Sequence, residues 1–322
     1  MNMTKKLRVG VIGSGCLGAY HAQKYSKMEH VELAGVVDVY RDKAEHLADK
    51  CNTKAFFDYR DLIGKIDAAS IVTQTPAHFE ISKAFLENGI DLLIEKPITT
   101  SVDEADALID IAQKKELIIQ SGHLERFNPA IVALEGLVNN PRFFEAHRMS
   151  IYQPRGTDVH VVLDLMIHDI DIALHFAHAD IFRIDAIGAS VISPLIDIAN
   201  ARILFSNGCA ANITASRIST KVERKFRIFQ QDIYASADCA RRELTVISKG
   251  ENQTPGCVIP GMSMTTKAFP GVDPLEDEIK SFVHSVLTRE PPVVSGTDGK
   301  KALEVALEII SQIEQGWKQN KI

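Results

Sequence analysis

The chain has little of several things that would mark a specialised protein. Only five of its 322 residues are cysteine (Cys16, Cys51, Cys209, Cys239 and Cys257), and no Cys-x-x-Cys pair occurs. An odd, scattered set argues against a disulfide framework or a thiolate zinc site and for reduced thiols. No apolar run approaches the ~20 residues of a membrane span. The opening segment, Met1 to Arg8, has no apolar secretory core before the first strand. Basic residues are not in excess: 36 Lys and Arg stand against 42 Asp and Glu, a formal charge of −6. That balance speaks against a nucleic-acid surface. These absences lead to the expectation of a cytoplasmic globular protein that binds neither nucleic acid nor membrane. Roughly 100–200 residues per domain suggests two domains in a chain of this length.

What is present is ordered. Leu7–Ile12, Val31–Asp38, Ala68–Thr73, Asp91–Glu95 and Leu117–Ser121 read as strands. Between them lie helical stretches near Cys16–Met28, Arg41–Asp49, Ala77–Asn88 and Val102–Lys114. Strands alternating with helices imply βαβ units and a parallel sheet. After Gly122 the texture changes. A helix is expected over Asn128–Leu137, a strand over Phe143–Tyr152 and a strong helix over Val161–Phe176. Then come β-rich runs, Ile181–Ile192, Ile196–Phe205, Ala210–Ser216, Val222–Gln230, Asp232–Ala235 and Glu243–Ser248, without long helices between them. Residues 249–273 read as a loop, and helices over Pro274–Thr288 and Gly299–Gln315 follow. The expectation is an α/β protein: a Rossmann-type parallel-sheet domain over 1–122, then an α+β domain over 123–322 with a large, mostly antiparallel sheet.

Val9 to Gly18 is a strand opening into Gly13-x-Gly15-x-x-Gly18. Gly13 permits the tight turn, Gly15 lets backbone approach a pyrophosphate, and Gly18 allows close helix–strand packing. Cys16 and Leu17 begin the helix whose N-terminus faces the anion. Asp38 ends the second strand, 20 residues after Gly18. A carboxylate there accepts from ribose hydroxyls and repels a 2′-phosphate, which favours NAD over NADP. Arg41 is the complication, because an arginine nearby can accommodate that phosphate. Thr73, Thr75 and His78 follow the third strand and could line the cofactor; Thr75 could equally cap a helix before Pro76, and His78 could serve helix packing.

Glu95-Lys96-Pro97 closes the fourth strand, where such sheets bind ligands. A lysine held there can polarise a substrate hydroxyl or carbonyl. Asp164 and His168 stand four residues apart in a largely apolar helix and so share one face. Histidine suits proton abstraction from an alcohol, Asp164 can orient the imidazole, and Lys96 can stabilise developing alkoxide charge. The same pair could be a plain i,i+4 surface contact. His160, His168, His175 and His178 cluster in sequence but lack metal-ligand spacing, so no metal is expected.

Together the glycine fingerprint, the Glu95-Lys96-Pro97 loop and the Asp164-x-x-x-His168 helix resemble the Gfo/Idh/MocA oxidoreductases over essentially the whole chain. The resemblance implies that Glu95 and Lys96 border the cofactor, with Lys96 contacting substrate and nicotinamide. It implies that His168 serves as acid or base and that Asp164 assists or binds sugar hydroxyls. It also implies a dimer or tetramer through the second-domain sheet. The Gly-Gly pair that many members carry shortly before the aspartate is missing from Asp158 to Leu163.

Gly122-His123-Leu124-Glu125-Arg126-Phe127-Asn128-Pro129 and the helix Asp164–Asp171 are similar to segments of a narrower subgroup. That subgroup oxidises the 3-hydroxyl of UDP-N-acetylglucosamine with NAD. A downstream aminotransferase would then give a 3-amino sugar for lipopolysaccharide or another surface glycan. Arg126 and Arg155 could meet the two phosphates or the uridine. Glu125, Asn128 and Tyr152 could bond sugar hydroxyls or the amide. Glu125 and Arg126 could instead form an ion pair within the loop, and Asn128 could simply cap a helix that begins at Pro129.

Overall fold

The computed structural model describes residues 6–153, 159–249 and 259–319. The chain divides into two units: Met1–His123 with Leu275–Leu303, and Leu124–Pro274 with Glu304–Ile322.

In the first unit β1 (Leu7–Ile12), α1 (Cys16–Tyr25), β2 (Val31–Val37), α2 (Arg41–Cys51), β3 (Ala55–Phe56), β4 (Ala68–Ile71), α3 (His78–Glu87), β5 (Asp91–Glu95), α4 (Val102–Lys115) and β6 (Ile119–Gly122) follow one another. The six strands form a parallel sheet in the order β3-β2-β1-β4-β5-β6. Helices cover both faces, so strands read as unbroken apolar runs rather than alternating ones. Leu92, Leu93 and Ile94 of β5 are fully buried, each worth about 1.5–3 kcal/mol in burial. The strand order reverses between β1 and β4. Their carboxyl ends therefore border the crevice where doubly wound sheets take a dinucleotide. Local chemistry sets the helices. The hydroxyl of Ser101 accepts the N–H of Glu104 to start α4, acids stand in its first turn, and Lys114 and Lys115 stand in its last.

The expected single break between 122 and 123 is corrected by the return of Leu275–Leu303 to this unit. Long-range contacts hold that segment. The Gln120 amide donates to the Glu278 backbone carbonyl at 3.0 Å, and Arg289 pairs with Asp91 at 2.8 Å. Gly299 sits so close to Ser121 that an added Cβ would lie 2.4 Å from the hydroxyl oxygen. None of this shows in a linear reading.

The second unit holds α5 (Pro129–Val132), β7 (Pro141–Met149), α6 (Ile167–Ala177), β8 (Ile181–Ala189), β9 (Ile198–Phe205), β10 (Ala210–Ser216), β11 (Glu223–Gln230), β12 (Ile233–Asp238), β13 (Glu243–Lys249) and β14 (Met262–Ala268). Its eight strands run β14-β13-β12-β11-β7-β10-β9-β8, antiparallel except for the β7–β10 pair. On β7 the side chains of Phe144, Ala146 and Arg148 are buried while their neighbours are half-buried, the alternation of a one-faced sheet. Helix α6 packs against β7 and β10.

Strand β14 corrects the reading of 249–273 as a loop. Its side chains are mostly exposed, so no apolar period marks it, and backbone pairing with β13 from Glu243↔Ala268 to Lys249↔Met262 makes it a strand. Lys267 stands on this edge, where a charge blunts further pairing. The chain ends in α7 (Pro274–Thr288) and α8 (Gly296–Gln319), and the unit boundary falls inside α8.

Candidate active site

The glycine loop is built by three different constraints. Gly13 has φ +104°, a left-handed value that a side chain resists, and an added Cβ would lie 2.5 Å from the Val72 carbonyl oxygen. At Gly18 an added Cβ would lie 1.9 Å from the Gly13 carbonyl oxygen. Gly15 is the opposite case: a Cβ there would have nothing within 4 Å. Gly15 is also the N-cap of α1, where no side chain caps the helix. Exposed N–H groups at a bare helix start, beside a position open enough for close approach, fit a pyrophosphate. Cys16 and Leu17 are exposed in that first turn.

Asp38 ties this loop to the end of β2. One carboxylate oxygen accepts the Ser14 N–H at 2.8 Å and the other accepts the Tyr40 N–H at 2.9 Å. Its carboxylate thus stands at the end of β2, where a ribose would lie. The Arg41 guanidinium lies 3.9 Å over the Phe57 ring, a cation–π contact on the exposed rim. Thr73, just past β4, has a buried hydroxyl with no hydrogen-bond partner among the described residues, a group able to serve a ligand. Thr75 starts a short 3₁₀ turn whose N-cap is Gln74, so Thr75 is not the cap.

His78 is buried, and its ring nitrogens face two backbone carbonyls, Nδ1 to Pro97 and Nε2 to Thr73, each at 3.0 Å. It fastens the segment after β4 to the segment after β5. Burial holds the imidazole below its usual pKa, against the pull of those carbonyls. The sequence offered cofactor contact or helix packing for this residue, and its ring nitrogens bond the two backbone segments that follow β4 and β5. Lys96 is half-buried directly after β5. Its backbone N–H donates to the Glu95 carboxylate at 3.2 Å. Gly122 is obligatory beside it, since an added Cβ would lie 2.9 Å from Glu95.

In the second unit the helix expected over Val161–Phe176 is not uniform. Val162–Met166 forms a π-helical turn, and α6 begins only at Ile167. Such wide turns are uncommon and frequently occur at functional sites. Asp164 lies in the π-turn and His168 in the first turn of α6. Both are half-buried, while Val161, Val162, Met166, Ile167, Asp169, Ile170 and Asp171 are buried. The polar pair therefore lies, with Leu163 and Leu165, on the part of this segment that is not sealed.

A buried ionic frame, which sequence reasoning missed, stands behind that edge. Arg148 of β7 grips Asp169 with two bonds, 2.8 and 2.9 Å, and donates to Glu125 at 2.8 Å. Burial opposes the Arg148 charge, but the two carboxylates outweigh it and hold the guanidinium protonated. Burial likewise opposes the Glu125 charge, and Arg148 more than offsets it, leaving that carboxyl below the usual range. The signal was available: a charge inside an apolar helix or strand must find a partner.

The residues of this segment expected at the substrate make contacts with their own unit. Asn128 donates to Glu125 and to the Cys239 carbonyl, each at 3.0 Å, and its side-chain oxygen accepts the Ala130 N–H to cap α5. Arg126 is buried, 3.6 Å from Asp171. Glu125, Arg126 and Asn128 thus have partners within their own unit. Tyr152 is exposed, and Arg155 lies outside the described residues. His175 contacts Glu135, and His160 accepts the Ile196 N–H at 3.2 Å.

The fold and the glycine cradle define an NAD-binding oxidoreductase. Residues 7–123 match the model of an oxidoreductase family with an NAD-binding Rossmann fold, and residues 130–232 match the Gfo/Idh/MocA C-terminal domain. A UDP-N-acetylglucosamine 3-dehydrogenase of Acidithiobacillus ferrooxidans is 37% identical over 96% of this chain and 97% of its own length. A solved structure of the Acidithiobacillus ferrooxidans enzyme superposes with a TM-score of 0.91 at 36% identity, covering 96% of this chain and 98% of that one. A myo-inositol 2-dehydrogenase of Thermotoga maritima is 26% identical over 96% of this chain and 97% of its own. A levoglucosan dehydrogenase in complex with NADH and levoglucosan shares the fold, with a TM-score of 0.86 at 19% identity over 96% of this chain and 98% of that one. The chain belongs to the Gfo/Idh/MocA oxidoreductase family. It is an NAD-dependent sugar dehydrogenase. Among the described residues no helix is long and apolar enough to cross a membrane.

Proposed function

We propose that this enzyme oxidises the 3-hydroxyl of UDP-N-acetylglucosamine, or a close UDP-N-acetyl sugar, to the 3-keto nucleotide sugar. The observation that carries the reading is the 37% identity, over nearly the full length of both chains, to a protein named for that reaction. Gly13, Gly15, Cys16, Leu17 and Gly18 hold the pyrophosphate, Asp38 with Arg41 the adenosine ribose, and Thr73, Thr75, His78, Glu95 and Lys96 border the remainder. Bound NAD supplies the acceptor for a hydride from the carbon that bears the hydroxyl.

The chain's own groups handle the proton and the charge. His168 Nε2 or Nδ1 takes the hydroxyl proton, general-base work that typically contributes 10²–10⁴-fold. Asp164 fixes the imidazole orientation. The Lys96 ammonium donates to the hydroxyl oxygen and stabilises negative charge as it develops there. Tyr152 and Arg155 are the remaining candidates for the nucleotide sugar, with Glu125, Arg126 and Asn128 framing the site from within. The enzyme works in the cytoplasm as a dimer or tetramer joined through the large sheet. Its 3-keto product suits an aminotransferase on the way to a lipopolysaccharide or other glycan.

Purified enzyme mixed with NAD and UDP-N-acetylglucosamine should generate NADH absorbance, and free N-acetylglucosamine and inositols should not. Turnover on a free sugar or cyclitol with none on the nucleotide sugar would replace this reading with the inositol-type one, which the Thermotoga relative favours. Lys96→Ala and His168→Ala should each lower kcat by about 10²–10⁴-fold while NADH still binds. Near-normal turnover in both variants would overturn the assigned roles.

A further inference from the structure

Next to Lys96 lies a buried cluster whose side chains have no assigned part in the hydride or proton transfer. His21 of α1, Glu95 at the end of β5 and Glu278 of α7 place ligand atoms within 4.8 Å of one another. Their exposures are 0%, 8% and 0%. Neither carboxylate oxygen of Glu278 has a hydrogen-bond partner among the described residues. Two carboxylates this close, out of water, do not both ionise unless a cation joins them.

The surroundings of the two carboxyls differ. Tyr25 Oη lies 2.8 Å from Ser70 Oγ, Ser70 Oγ lies 3.2 Å from His21 Nδ1, and His21 Nε2 lies 3.3 Å from Glu95 Oε1. Burial raises the Tyr25 pKa, so the phenol keeps its proton and shares a hydrogen bond with Ser70. The His21 ring thus stands between Ser70 and Glu95, with Nε2 within ion-pair range of the carboxylate. Glu95 also accepts the Lys96 N–H. Glu95 therefore has a backbone N–H and an imidazole beside it. Glu278 faces Glu95 from α7 with no donor of its own. Lys24, on the neighbouring rim, pairs with Glu276 at 3.7 Å, and Gln120 donates to the backbone of Glu278, not to its carboxyl.

We propose that Glu278 is a neutral carboxylic acid in the folded protein and shares its one proton with ionised Glu95, forming a brace that positions the Lys96 backbone. Burial and the Glu95 charge both push the Glu278 carboxyl well above the usual range, in the direction this assignment needs. The sign for stability follows. A carboxyl with a raised folded pKa takes up a proton on folding, so stability falls as pH rises from its unfolded value of about 4.5 through its folded one. Each pH unit in that window costs about tenfold in the folding equilibrium.

Three measurements on the full-length protein test this. Infrared difference spectra of wild type against Glu278→Gln at neutral pH should show one protonated-carboxyl carbonyl band, shifted in deuterium oxide and absent from the variant. Unfolding free energies between pH 5 and pH 9 should fall with pH in wild type more steeply than in Glu278→Gln, by up to the tenfold per unit above. Hydrogen exchange at the Lys96 amide, corrected for intrinsic base catalysis, should accelerate at the pH where the infrared band titrates away. If Glu278→Gln does not fold, the wild-type band and its titration still decide. A missing band in wild type, or parallel stability profiles, would overturn the proposal. A stoichiometric divalent metal in the purified protein, lost in Glu278→Gln, would overturn it in favour of a cation joining the carboxylates.

Discussion

Gly15 and Gly18 are two residues of one motif held for opposite reasons, and alanine separates them. At Gly18 the new methyl would sit 1.9 Å from the Gly13 carbonyl oxygen and 2.9 Å from its carbon. Ordinary contact needs about 3.4 Å or more, so loop and helix must part by more than an ångström, and overpacking of this kind costs about 3 kcal/mol or more. At roughly 2–4 °C per kcal/mol, Gly18→Ala should lower Tm by about 6–12 °C. At Gly15 the backbone is extended, φ −68° and ψ −172°, and the methyl meets nothing. Alanine gains about 0.4–1 kcal/mol by restricting the unfolded chain. It loses a similar amount as a poorer N-cap than glycine. Gly15→Ala should therefore hold Tm within about 2 °C of wild type. Its methyl nonetheless points into the space assigned to the pyrophosphate, and NADH should bind about 10–100-fold more weakly, or about 1.4–2.8 kcal/mol. Thermal melts without ligand and fluorescence titrations with NADH read the two effects apart. Wild-type NADH affinity in Gly15→Ala would refute the placement of the cofactor. A wild-type melt in Gly18→Ala would refute the loop geometry.

Arg148→Met should lose about 3–5 kcal/mol by urea unfolding at pH 7.5, because it strands two buried carboxylates. The deficit against wild type should narrow toward pH 4, where Asp169 and Glu125 can protonate; a deficit constant with pH would mean that lost packing, not stranded charge, is the cause. Asp197 is fully buried. Burial works against its charge, but three backbone N–H donors, from Ile192, Val191 and Ser193, carry its pKa down from 3.8 to about 2. A depressed folded pKa stabilises above the unfolded value and is lost as pH falls through the folded one. Asp197→Asn should therefore cost about 2 kcal/mol at pH 7 and nothing near pH 2, as chemical unfolding across pH would show.

The first unit was legible because its signals are local. A strand, a glycine turn and a helix start occupy consecutive residues, and each parallel strand buried on both faces reads as an apolar run. Val31–Asp38 and Asp91–Glu95 fall within a residue of β2 and β5 for that reason. The misses come from information that is not local. Strand β14 exists through its pairing with β13, and the segment Leu275–Leu303 joins the first unit through Gln120, Asp91 and Ser121. For the site, spacing singled out Asp164 and His168 but not the π-turn between Val162 and Met166. Glu125 and Asn128 were read as sugar contacts from the resemblance of their segment, with an ion pair and a helix cap as the alternatives. Their use as frame depends on Arg148, which lies 23 residues from Glu125 in the chain.

The segment from Asp164 to Asp171 carries three aspartates and a histidine, and the structure divides their labour by which way each faces. Asp169 and Asp171 face inward and are met by Arg148 and Arg126. Asp164 and His168 lie on the half-buried edge. An interior of leucine and isoleucine would be as stable or more so, since a buried ion pair rarely repays its desolvation. A bidentate arginine adds something apolar packing does not: it fixes the rotation of the helix about its axis, because a small turn breaks two bonds at once. His168 directly precedes Asp169, so whatever fixes the carboxylate also fixes the imidazole direction. The frame thus accounts for charge in the core of the second unit. It also ties Glu125 and Asn128 to the orientation of that helix.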